Sequence, residues 1–174
     1  MENDNINQQL EPVDSHELII THIINAPRNL VWQAWSESER LAKWWGPKDF
    51  KMQVINLDFR SGGIFRYSMV SPEGQKMWGK FMYHEIIAPD KIVFVDSFSD
   101  EKGNVVRHPF DQNWPLEVIN TMTLTEHDDK TILTLRGEPI NANELERKTF
   151  EEGRESMQQG FAGIWEQLDE YLAK

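Results

Sequence analysis

Gly160-Phe161-Ala162-Gly163-Ile164-Trp165-Glu166-Gln167-Leu168 is the stretch that decides the fold. It lies inside the longest helical pattern of the chain. Phe150, Met157, Phe161, Ile164, Trp165, Leu168 and Leu172 approximate one helical face, while Glu151, Glu155, Gln159, Glu166 and Glu170 lie largely on the other. A helix of this kind has to bury its apolar stripe, and the one large partner the sequence offers is a sheet. Gly160 and Gly163 each cost about 1 kcal/mol of helix propensity relative to alanine, so they mark either close packing or open space beside the helix.

The sheet is written upstream. From Lys51 to Arg136 the chain alternates apolar and polar residues in short runs, 51–58, 62–70, 76–87, 91–98, 117–126 and 130–137. Turn sequences such as Ser71-Pro72-Glu73-Gly74 and His127-Asp128-Asp129-Lys130 separate several of them, which predicts an antiparallel meander. A further strand precedes it, where Ile19, Thr21 and Ile23 alternate with Leu18, Ile20, His22 and Ile24 until Asn25-Ala26-Pro27 stops the run.

Pro27 suits a first helical turn, with Leu30, Val31, Ala34 and Trp35 at helical spacing after it. Ser36 or Ser38 would cap a second short helix that turns Leu41, Trp44 and Trp45 inward and ends at Gly46-Pro47. The long connection 99–115 carries His108, Pro109, Phe110, Trp114 and Pro115, and connections of this length often serve as binding loops or lids. Residues 1–13 read as a flexible polar arm, and 14–174 as one domain with no internal repeat.

Composition removes several classes of function. Without cysteine there is no disulfide framework, thiolate nucleophile or thiolate-bound metal. Twenty-nine acidic against eighteen basic residues give a net charge of −11, which repels a phosphate backbone and argues against a nucleic-acid partner. No stretch reaches the roughly 20 apolar residues of a membrane span, and the first residues resemble no secretory leader, so a cytoplasmic protein is expected. His16, His22, His84, His108 and His127 show no metal-ligand spacing, and Gly62-Gly63 opens a strand rather than a dinucleotide-binding helix, so neither metal nor cofactor is expected.

The order of elements and several local words resemble one family. Ile24-Asn25-Ala26-Pro27 through Trp35, with Leu41-Ala42-Lys43-Trp44-Trp45-Gly46-Pro47, is similar to the opening of the activator-of-heat-shock-ATPase-homologue-like branch of the START-like (SRPBCC) superfamily. Arg60-Ser61-Gly62-Gly63-Ile64-Phe65, Gly79-Lys80-Phe81-Met82-Tyr83-His84-Glu85-Ile86 and Gly163-Ile164-Trp165-Glu166-Gln167-Leu168 continue the likeness in the same order, over about residues 15–172. The resemblance implies an α+β helix-grip fold, also called birch-pollen-allergen-like. Its parts would be a curved antiparallel sheet of about seven strands, two short helices, and a long C-terminal helix over a cavity. Members of the superfamily include lipid carriers, polyketide-handling proteins and stress-associated proteins.

Within such a fold, Tyr67, Met69, Trp78, Phe81, Phe94, Phe98, Met122, Phe161 and Trp165 would line an apolar pocket, although plain core is the commoner role for any one of them. Asn120, which shares strand parity with Met122, and His84, which shares it with Trp78, are the polar candidates for orienting a ligand; Trp114 would lie in the covering loop. Alternation sends Arg66 outward, opposite Tyr67. The expected function is therefore binding of a small hydrophobic or amphipathic molecule. One rival is a cyclase, dehydratase or hydrolase using His84 or His108, with Asp58 and Asp96, or Glu85 with His84, as further acid–base candidates. The other rival is a module that docks on a chaperone or in a stress pathway through Trp44, Trp45 and the acidic surface. A homodimer through an edge strand is also open.

Overall fold

The computed structural model describes residues 17–174; the expected arm, 1–13, lies outside the described residues. Strand β1 (Leu18–Ile24) leads into α1 (Arg28–Ser36) and α2 (Ser38–Trp44). Then come β2 (Lys51–Leu57), β3 (Ile64–Val70), β4 (Lys76–Ile87), β5 (Lys91–Ser99), the two-residue β6 (Val105–Val106), β7 (Glu117–His127) and β8 (Lys130–Ile140). Helices α3 (Glu144–Glu152) and α4 (Arg154–Leu172) end the chain. The strands form one antiparallel sheet in the order β1-β8-β7-β5-β4-β3-β2, with β6 paired to β5. This is an α+β helix-grip fold. The seven expected strands are present, and the eighth is a short return of the long connection onto β5.

One face of the sheet carries the core. Leu18, Ile20 and Ile24 of β1 meet Leu133 and Leu135 of β8, Met122 and Leu124 of β7, and Val31, Ala34 and Trp35 of α1, all buried. Alternation explains the pattern: the intervening Ile19 and Ile23 of β1 are exposed on the other face.

Two expectations about the helices need correction. The terminal helical run is two helices, broken at Gly153, where the Trp114 ring lies so close that an added Cβ would fall 3.0 Å from it. A side chain there would press on the indole, which favours glycine at the cap between the two helices, where Gly153 takes φ −87° and ψ 1°. Neither Ser36 nor Ser38 caps α2; Glu37 is its N-cap residue and supplies no side-chain cap bond. The capped helix is α3, where Asn143 Oδ1 accepts from Glu146 N (2.8 Å) and Glu146 Oε1 accepts from Asn143 N (3.1 Å), a reciprocal capping box.

The C-terminal half of α4 is tied to its surroundings by polar bonds. Gln167 Nε2 donates to the Gly46 carbonyl oxygen at 2.7 Å, Arg40 donates to the Tyr171 hydroxyl at 3.3 Å, and His22 Nε2 sits 3.0 Å from an Asp169 carboxylate oxygen. Further up the helix Gly160 and Gly163 have no atom within 4 Å of where a Cβ would lie, and Met157 and Phe161 are only half-buried. The helix is fastened at one end and stands beside open space at the other.

Candidate functional site

Residues paired across an antiparallel ladder share a face, so the register states what points inward. Tyr67 pairs with Gly79, Phe65 with Phe81, Phe81 with Asp96, Tyr83 with Phe94, and Phe94 with Asn120. These side chains form a single inner surface across β3, β4, β5 and β7. Phe81 and Phe94 stack at 4.3 Å, and Trp45, just past α2, meets Phe81 edge-on at 5.2 Å. Trp35 of α1 bridges Phe94 (6.4 Å) to Trp165 of α4 (6.3 Å), and Trp165 stacks on Phe161 at 5.4 Å. The sheet is one wall of this aromatic region; the α1–α2 pair and α4 are the other.

Three polar side chains lie within it. Asn120 is buried and donates through Nδ2 to Asp96 Oδ2 (3.0 Å) and to the Val118 carbonyl oxygen (3.2 Å). Asp96 lies deep enough that burial pushes its carboxyl up to about 7, against the opposing pull of the Asn120 hydrogen bond. Its side chain is nevertheless only half-covered. The Tyr67 hydroxyl is held above its ordinary pKa by burial first and by the Asp96 charge second.

Two glycines make this arrangement sterically possible. A Cβ on Gly79 would fall 2.5 Å from the Tyr67 hydroxyl oxygen, and one on Gly137 would fall 2.8 Å from Asn120 Oδ1. The indole nitrogens of Trp35, Trp45 and Trp165 are buried without a hydrogen-bond partner, and each ring packs among other aromatic rings.

The long connection closes one end of this surface. His108 packs on Phe98 at 4.7 Å and faces Trp114 at 6.2 Å, while Trp114 packs on Phe150 of α3 at 5.5 Å. Arg107 donates to Glu146 Oε2 at 2.6 Å, fixing the loop to α3 and holding that carboxyl below the usual range. Burial lowers the His108 pKa, opposed by the Asp111 charge. An open polar cleft of about 350 Å³ sits here, lined by Arg107, His108, Pro109, Gln112, Asn113, Asn143 and Glu146.

The sequence-predicted residues divide by face. Tyr67, Met69, Phe81, Phe94, Asn120 and Met122 point inward, and Phe161 and Trp165 approach from α4. Met122 is wholly buried and serves as core. Trp114 lies in the loop, packed on α3 rather than over the sheet centre. Trp78 and His84 require correction. Trp78 pairs with Ser68 and Ser99 on the outer face, where Lys76 Nζ lies 5.3 Å from its ring. His84 is exposed at the register shift between Tyr83 and Glu85. Their shared parity is real, but it is the parity opposite to Phe81.

The acid–base pairings also separate. Asp58 is bound by Arg60 at the surface (2.9 Å), and Glu85 lies 3.5 Å from Lys91. Arg66 points outward and donates to the Glu101 carbonyl oxygen at 2.7 Å. Asp96 is the residue that the ligand-contact set lacked. Its signal was an acid at the inward parity of a β-strand otherwise carrying Ile92, Phe94 and Phe98 there. Among the described residues no group of three or more His, Asp or Glu side chains is placed to hold a metal ion.

A curved antiparallel sheet gripping a long helix, with an aromatic interior that holds a few polar groups, defines a protein of the START-like class. The sequence profile described as activator of Hsp90 ATPase homolog 1-like protein matches residues 25–173, and the chain belongs to that family. No curated protein sequence matches it. Among solved structures, protein Ms6760 from Mycobacterium smegmatis is 29% identical with a TM-score of 0.74, over 92% of this chain and 93% of that one. A protein from Arthrobacter aurescens is 26% identical with a TM-score of 0.77, over 94% and 89%. DynU16, a putative protein in the dynemicin biosynthetic locus, shares the fold at 18% identity and a TM-score of 0.64; this chain spans 48% of its length.

Proposed function

We propose that the protein binds a small amphipathic molecule between α4 and the inner face of β3, β4, β5 and β7. The observation that carries this reading is the Asp96 carboxyl, half-buried on the inner face beside the fully packed rings of Tyr67, Phe81 and Phe94. Family membership supports it, because likeness to the ligand-binding proteins of the superfamily favours a general small-molecule-binding role. Apolar burial against the rings would supply most of the affinity, at about 25 cal/mol per square ångström removed from water. Access would lie between the 107–116 loop and the upper half of α4, where Met157 and Phe161 remain half-buried.

The rival readings fare differently. Docking through Trp44 and Trp45 keeps only part of its surface: Trp44 is 1% exposed with its Nε1 bonded to the Ala34 carbonyl oxygen at 2.9 Å, while Trp45 packs on Phe81 and remains half-buried. Proton transfer has one observation in its favour, since an acid with a pKa near 7 is half-ionised at neutrality, but the group concerned is Asp96 rather than His84.

Native mass spectrometry of the protein purified from its own cells tests the proposal. A stoichiometric adduct released by denaturation, and lost when Phe94 is replaced by a bulkier tryptophan, is the expected outcome. An adduct that survives that substitution, or no adduct together with no binding of alkyl or aryl alcohols, would overturn it.

A further inference from the structure

Asp96 is an acid without a cation. Oδ2 accepts from Asn120, a neutral amide, and none of the Lys, Arg or His side chains among the described residues forms an ion pair with it. Every other group arranged around it on the inner face is aromatic or neutral: Phe81 is its partner on β4, Val118 its partner on β7, and Phe94 precedes it on the same face of β5. The Tyr67 hydroxyl lies within reach of its charge. A carboxylate with no cation beside it repels anions, rewards cations and stays uncompensated beside a neutral guest.

From this juxtaposition we infer that the inner face takes a ligand bearing a protonated amine, its ammonium group held by Asp96 and its apolar body lying toward Trp165 and the half-buried Phe161 of α4. The inference rests on the internal-binding reading above and adds the charge of the ligand. An ammonium would satisfy the free carboxylate oxygen with a charge-assisted hydrogen bond. It would also hold the acid ionised, offsetting the desolvation that otherwise favours the protonated form. The net charge of −11 draws such a ligand toward the surface before it reaches the inner face.

Decylamine, decanol and decanoate share one apolar chain and differ in head-group charge, so they are the probes. Tryptophan fluorescence titration at physiological ionic strength, in wild type and Asp96→Asn, reads their affinities. Wild type is expected to bind decylamine about tenfold more tightly than decanol and decanoate least. In Asp96→Asn the amine preference should collapse to about twofold or less while decanol binds as before. The wild-type ranking stands without the variant, so a misfolded Asp96→Asn does not rescue the idea. Equal binding of amine and alcohol by wild type, or an amine preference that persists in a folded Asp96→Asn protein, overturns the inference and leaves internal binding intact. If none of the three probes binds, the internal-binding reading itself fails.

Discussion

Asp96 makes a stability prediction at the scale of one residue. Its folded-state pKa of about 7 lies above the ordinary 3.8, so between these values the native state holds a proton that the unfolded chain has released. The stability contributed by this group is therefore highest near the lower value. It falls by up to about 1.4 kcal/mol per pH unit as pH rises through the window and levels off above it. Urea unfolding at a series of pH values should show wild type losing stability across this window, and Asp96→Asn should lose much less. Identical profiles would mean that the carboxyl is not desolvated. Gly79 gives a second residue-scale test: Gly79→Ala should destabilise by about 1–3 kcal/mol through overlap with the Tyr67 hydroxyl. Tyr67→Phe, which removes that oxygen, should recover part of the loss in the double variant. Additive losses would place the Tyr67 ring elsewhere.

At the scale of elements, α3 and α4 behave as separate units joined at Gly153. Asn143→Ala removes one arm of the capping box and should cost about 1 kcal/mol in chemical denaturation. It should also loosen Glu146, which Arg107 uses to hold the loop, so hydrogen exchange in 107–116 should rise with it. Unchanged exchange there would mean that the loop is held by Trp114 and His108 packing alone. The break is weakly marked in the sequence: the helical periodicity runs straight through Gly153, and the Trp114 ring that crowds a side chain there arrives from the distant long connection. The strands were legible for the opposite reason. Their alternation is local, and it separates Tyr67 from Arg66 on β3 and groups Asn120 with Val118 and Met122 on β7, as the ladder register has them.

At the scale of the whole molecule, parity says which residues share a face but not which face is covered. That choice is made by where α4 and the α1–α2 pair dock. Trp78 and His84 were consequently assigned to the wrong side of a correctly read strand, although Phe81, three residues from each, marks the right one. The same limit hid the importance of Asp96, an ordinary acid by composition that becomes distinctive only once Asn120, Tyr67 and Phe81 are assembled around it. The central claim is that ligand lies on the inner face. Amide proton–nitrogen correlation spectra recorded during a decanol titration test it most directly. The account predicts shifts grouped at Tyr67, Phe81, Phe94, Asp96, Asn120 and Phe161, with Trp78 and His84 unmoved. Shifts confined to the outer face or to the Arg107–Glu146 cleft, or none at saturating probe, would contradict it.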